Sequence, residues 1–107
     1  MQKSLNPKNH DGSRNELRGT WFPTEFVSCW EVPLDVSEVN FQNRGFYPAT
    51  IGMGQKSYAF GEGKPFYLEL RIQPKEIIRA YVLPEPVRQF WIRSDRRITR
   101  IYYLLKG

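Results

Sequence analysis

Hydrophobic and aromatic residues fall in short runs cut by proline and glycine. Thr20 to Phe22 ends at Pro23, Phe26 to Val32 at Pro33, Arg44 to Ile51 at Gly52-Met53-Gly54, and Lys56 to Phe60 at Gly61-Glu62-Gly63-Lys64-Pro65. Runs this short, punctuated this often, predict strands joined by turns. The clearest is Phe66 to Ile72, where Phe66, Leu68, Leu70 and Ile72 alternate with Tyr67, Glu69 and Arg71, a period of two that gives one buried face. Pro74-Lys75 marks a tight turn before Glu76 to Leu83, which is rich in β-branched and aromatic residues. Pro84-Glu85-Pro86 separates that segment from Val87 to Arg93, and Ser94-Asp95-Arg96-Arg97 leads into Ile98 to Leu105.

In the last two segments a helical spacing is also met, by Ile98, Ile101, Tyr102 and Leu105, but Ile, Thr, Tyr and Trp dominate them and favour strands. Two helical pieces are expected elsewhere: one turn at Asn15 to Arg18, and a short helix at Asp35 to Phe41 with Asp35 as its cap and Glu38 at the third helical position. Residues 1–18 have only Met1, Leu5 and Leu17 as apolar anchors and read as a flexible polar tail. The expected architecture is that tail followed by a single domain over 19–107. Its class is all-β, or β-rich α+β, with six to eight short antiparallel strands in a small barrel or sandwich.

Composition narrows the class. With 107 residues the chain is the size of one domain, and its 15% aromatic content supplies enough buried surface to argue against disorder over most of its length. The single cysteine, Cys29, excludes an internal disulfide and a cysteine-based metal cluster, which fits a reducing compartment. No stretch approaches the roughly 20 apolar residues of a membrane helix, and the N-terminus lacks the apolar core of a secretory signal, so the expectation is a cytoplasmic protein with no membrane partner.

The net charge of +5 is unevenly spread. Through Leu70 there are seven basic and eight acidic residues, a balance of −1; from Arg71 onward there are nine basic and three acidic residues, a balance of +6. A surface field acts through where its charges cluster, so the C-terminal third draws attention first.

Catalytic chemistry finds little support. The only histidine, His10, lies in the tail, so no Cys/His or Ser/His pair suggests itself, and Cys29 among Val27, Ser28 and Trp30 reads as a small packing residue. Glu31, Asp35 and Glu38 are too scattered for a cation loop, and neither glycine cluster has phosphate-loop spacing, although Lys64 at a loop tip offers one phosphate contact. No catalytic residue, metal or cofactor is therefore assigned.

The C-terminal segments offer a binding surface instead. If residues 94–97 close a hairpin, Trp91 lies opposite Arg100 and Gln89 opposite Tyr102. One face then carries Gln89, Trp91, Arg93, Ile98, Arg100 and Tyr102, and the core face carries Phe90, Ile92, Thr99, Ile101 and Tyr103. Arg96 and Arg97 crown the turn, and Arg71 and Arg79 extend the basic surface. Aromatic platforms stack unpaired bases while guanidinium groups neutralise phosphates, so this set predicts a non-enzymatic domain that binds nucleic acid, single-stranded in preference. The competing structural account has Trp91 and Tyr102 packed against another sheet or subunit, with Arg100 stacked on Trp91.

Two other functions are compatible. The same residue types would anchor a phage- or plasmid-type regulator on an acidic protein surface. A metal-free, histidine-free ribonuclease of the small toxin type would use Arg79, Tyr81, Arg93, Arg100 and Tyr103. An odd strand count with an exposed aromatic face would favour a homodimer.

Overall fold

The computed structural model describes residues 15–23, 27–54, 67–94 and 99–107. The β-branched and aromatic runs within them form six strands: β1 (Glu16–Trp21), β2 (Val27–Asn43), β3 (Ala49–Gly54), β4 (Tyr67–Ile72), β5 (Ile77–Ser94) and β6 (Ile101–Lys106). They make one antiparallel sheet in the order β1-β6-β2-β5-β3-β4, and no helix occurs among the described residues. The all-β expectation holds. The barrel is not closed, since β1 and β4 end the sheet and no ladder joins them among the described residues.

The chain departs from the sequence reading in how the strands are cut. β2 runs through Pro33, and β5 runs through Pro84 and Pro86. Proline removes a ladder donor, so it is tolerated where pairing is already interrupted. The ladder does break there: Glu31 pairs with Gln89, then Val36 with Val87, then Glu38 with Val82. Such irregularities bend both strands and let the two halves of the sheet close over one core.

The break also changes which residues face inward. Ser28, Trp30, Val32 and Val36 are buried on one side of it, and Val39, Phe41 and Asn43 on the other. Val32, Val36 and Val39 thus acquire spacings of four and three, which imitate a helix. That overturns the expected helix at Asp35 to Phe41: the segment is the bent middle of β2. Similarly, Leu17 is buried opposite Leu105, so Glu16, Leu17 and Arg18 open β1 and form neither a helical turn nor part of the tail. Residues 1–14, the expected strand at 56–60 and the loop at 61–65 lie outside the described residues.

Trp30 centres the core. Its ring packs 5.2 Å from Trp21 and 4.9 Å from Tyr103, both edge-on, and 6.1 Å from Phe90. Edge-to-face packing adds to the burial of these large rings.

Asn43, fully buried at the end of β2, joins four segments. Its Nδ2 donates to the carbonyls of Tyr47 (2.9 Å) and Ile72 (3.0 Å), and its Oδ1 accepts from the Gly45 N–H (2.9 Å). Its backbone N–H donates to the Glu76 carbonyl (3.1 Å) and its carbonyl accepts from the Lys75 N–H (2.7 Å). The turn beyond it, Gln73 to Glu76, is closed by the Glu76 N–H on the Gln73 carbonyl (3.0 Å), with Pro74 leading and Lys75 at φ 69°. Proline followed by a positive φ is the type II pattern, whose third position favours glycine.

Asn43→Ala removes three side-chain hydrogen bonds at about 1 kcal/mol each, so chemical denaturation should show a loss of about 3 kcal/mol. Asn43→Asp should recover little, because a carboxylate still accepts from Gly45 but faces two carbonyl oxygens. Lys75→Gly relieves a left-handed residue at an entropic cost in the unfolded chain, so it should raise stability by up to about 1 kcal/mol.

Candidate nucleic-acid interface

The expected C-terminal hairpin does not form. β5 pairs with β2 and β3, and β6 pairs with β1 and β2. Trp91 lies opposite Cys29 and Gly52, not Arg100, and Tyr102 lies opposite Thr20 and Gln42, not Gln89. The physical reason is edge occupancy. Over residues 89–93 both edges of β5 are taken, while β6 supplies the ladder of β1 and covers the second half of β2.

At the described positions the expected alternation of faces holds for all but Gln89, and Ile98 lies outside them. Phe90, Ile92, Thr99, Ile101 and Tyr103 are buried, and Arg93 and Arg100 are exposed, with Trp91 and Tyr102 half-buried on the outer side. Gln89 departs from this: it is buried, and its Nε2 donates to Glu31 Oε1 (3.0 Å). Arg96 and Arg97 lie outside the described residues, as does Lys64.

The predicted residues therefore divide between two surfaces. On the first, spanning β4-β3-β5-β2, Arg71, Thr50 and Arg93 form one cross-strand row, and Glu69, Gly52, Trp91 and Cys29 the next. The Tyr67 ring packs 5.7 Å from Trp91, and its hydroxyl donates to Glu69 Oε2 (2.6 Å). A Cβ on Gly52 would come within 2.5 Å of the Tyr67 hydroxyl, so glycine is what lets the ring lie flat across β3. With Tyr67 against Trp91 and two carboxylates, Glu31 and Glu69, among its residues, this surface suits neither base stacking nor an anion.

The second surface lies where β1, β6 and the second half of β2 adjoin. The Arg100 guanidinium sits 5.8 Å from the centre of the Phe22 ring, and that of Arg44 sits 4.5 Å from the centre of Tyr102. The Arg44 N–H donates to the Arg100 carbonyl (2.9 Å), which fixes the two arginines side by side, one just past the end of β2 and the other just before β6. Arg44 Nε also donates to Gln42 Oε1 (3.0 Å). Phe22, Tyr47 and above all Phe46, which is 81% exposed, add apolar rings at this end. Arg93 approaches the other end of the same 44–48 turn, since Ser94 pairs with Ala49.

Across β2 from Tyr102 lies Ile77, and Arg79 follows two residues further along β5. Together with Gln42, Ile77, Ile78, Tyr102 and Leu104 it lines a cleft of about 290 Å³. Among the described residues Arg44, Arg79, Arg93 and Arg100 have no carboxylate in ion-pair range, whereas Arg88 is held by Asp35 (2.7 Å), Arg18 by Glu16 (3.4 Å) and Lys106 by Glu38 (3.8 Å). The Arg88 guanidinium correspondingly holds the Asp35 carboxyl below its ordinary range, through the hydrogen bond first and its charge second.

Sequence reasoning missed Arg44, Gln42, Phe22 and Phe46. A signal existed in Arg44-Gly45-Phe46-Tyr47-Pro48, where two aromatic residues sit between a glycine and a proline, which is turn chemistry and not a strand. The residues imagined for a ribonuclease do not converge: Tyr103 is buried against Trp30, while Arg79 and Arg93 lie at opposite ends of β5. Among the described residues no three His, Cys, Asp or Glu side chains gather into a group able to hold a metal.

No protein-family model matches the chain, and comparison with curated proteins finds no relative.

Burial pushes the Cys29 thiol above its ordinary value, and the side-chain hydrogen bond with Trp91 only partly opposes this. Less thiolate is then present at any given pH. Alkylation by iodoacetamide should reach half its maximal rate at a higher pH than an unstructured peptide thiol, whose pKa is about 8.5.

Proposed function

We propose that this protein is a non-enzymatic β-domain that binds single-stranded nucleic acid through the surface formed by Phe22, Arg44, Phe46, Arg100 and Tyr102. The observation that carries this reading is the pairing of Arg44 and Arg100 with aromatic rings, with no carboxylate partner among the described residues. A guanidinium stacked on a ring still presents its N–H edge outward, where it accepts a phosphate, and its flat face is a platform for a base. Phe46, at the tip of its turn, offers a further stacking surface. Trp91 and Arg71, expected at the centre of the interface, belong to the other surface and are assigned no direct part. A cytoplasmic location fits the single cysteine and the absence, among the described residues, of any helix long and apolar enough to cross a membrane.

The highly exposed Phe46 favours one second reading, a protein interface in which this ring is the anchor and the arginines meet an acidic partner. Salt titration and nuclease treatment separate the two.

Fluorescence anisotropy with a labelled single-stranded oligonucleotide tests the proposal. Affinity should fall with salt, and Arg44→Ala with Arg100→Ala should flatten the log–log slope by about 1.4, at about 0.7 per phosphate on a single strand. Phe46→Ala should weaken binding by about 1–3 kcal/mol, the range for one stacked base, while Trp91→Ala should change it little. Absence of binding at low salt, or full affinity in the double arginine variant, would exclude the reading. Recovery of one stoichiometric acidic protein after nuclease treatment would support the protein interface instead.

A further inference from the structure

We infer that the cleft between β6 and the first half of β5 is a seat for one unpaired base, and that it prefers bases presenting a carbonyl acceptor, such as uracil, thymine or guanine, over adenine, which has none. This rests on the nucleic-acid reading above and adds a recognition element to it.

The cleft is built from cross-strand rows on the outer face. Tyr102, Gln42 and Ile77 are neighbours on β6, β2 and β5, and Leu104 and Asn40 continue the β6 and β2 columns. At about 290 Å³ it lies at the small end of ligand pockets, the scale of a single ring system and not of a dinucleotide. Its lining includes Ile78 and Leu104 as apolar surface, Tyr102 as an aromatic ring, and no carboxylate. Arg79 lines it, and Arg44, stacked on Tyr102, stands beside it. An apolar, aromatic hollow flanked by two guanidiniums complements a flat base attached to a phosphate.

Hydrogen-bond accounting sets the preference. Asn40 is committed to the fold: its Oδ1 accepts from the Ala80 N–H (2.6 Å), and its Nδ2 donates to the Leu104 carbonyl (3.1 Å) and to Glu38 (3.3 Å). Gln42 is committed at one end only. Arg44 Nε can only donate, so the atom that meets it must be the Gln42 oxygen, and this fixes the amide orientation. The Gln42 NH₂, with two donors and no partner among the described residues, is the end left for a ligand. Arg79 likewise only donates. Uracil and thymine carbonyls, or the O6 and N7 of guanine, answer such donors. Both hydrogen-bonding edges of adenine carry its amino group, which would face them donor to donor.

The test is NMR titration of the full-length protein with uridine, guanosine and adenosine monophosphates, read at the Gln42 side-chain amide and the Tyr102 ring. The uridine and guanosine nucleotides should shift both signals with an affinity at least about tenfold above that of the adenosine nucleotide, the scale of one bidentate base contact. Gln42→Ala should abolish that difference while its backbone amide spectrum stays that of the folded protein. Equal shifts for all three nucleotides, a preference that survives Gln42→Ala, or no shift at either signal would overturn the base seat. Oligonucleotide binding that persists alongside such a result would leave the arginine–aromatic interface standing. Loss of both would remove the two together.

Discussion

The turn that carries Arg44 and Phe46 to the candidate interface is held in place by one buried amide. Asn43 has no solvent contact, so each polar atom it carries must be answered within the protein, and each is: two carbonyls, one N–H and its own backbone pair. Those partners belong to the 44–48 turn, the end of β4 and the turn into β5. The 44–48 turn and the turn into β5 have no ladder of their own at that point, and without the amide the carbonyls of Tyr47 and Ile72 would lose that donor. Arg44 and Phe46 sit on the turn that Asn43 closes. A side chain buried for structural reasons thus determines where the functional surface stands.

The second constraint is the bending of β2 and β5. A flat sheet of this length would leave one apolar face open to water; the irregularities around Pro33, Pro84 and Pro86 let it fold over Trp30. A further irregularity, between Val39–Tyr81 and Phe41–Ile78, leaves Ala80 at φ 53° and its N–H outside the regular ladder. Asn40 answers that N–H. The same extra residue re-aims the strand beside Arg79, so the bulge that bends β5 is also what borders the cleft, a common use of bulges next to sites.

How much of this was legible depends on the range of the interaction involved. Local alternation identified Phe66 to Ile72, within which Tyr67 to Ile72 is β4, and the inward faces of Phe90, Ile92, Ile101 and Tyr103, because period two is set by the pleat alone. Prolines misled, since Pro33, Pro84 and Pro86 end a strand only where a ladder needs their N–H, and that is decided by the partner strand. Asp35 and Glu38 mimicked the start of a helix, and the bulges that keep this segment in β2 depend on the partner strand, which no single-strand pattern can reveal. The hairpin failed for a similar reason. Whether β5 and β6 pair depends on β1 and β3 competing for the same edges, and that competition is written in distant parts of the chain.

The charge pattern carries the same lesson in electrostatic form. Counting along the chain put +6 in the last third and left the first 70 residues near neutral. In space, Arg88 and Lys106 of that third are paired with Asp35 and Glu38, and Arg71 faces the mixed surface beside Glu69. Arg44, from the nearly neutral part, joins Arg100 by a backbone hydrogen bond. A positive surface therefore arises from which arginines escape pairing with a carboxylate, not from where they are most numerous in sequence. Escape is favoured where an arginine stacks on a ring, because the ring attracts the cation without neutralising it and leaves its outer edge to a ligand.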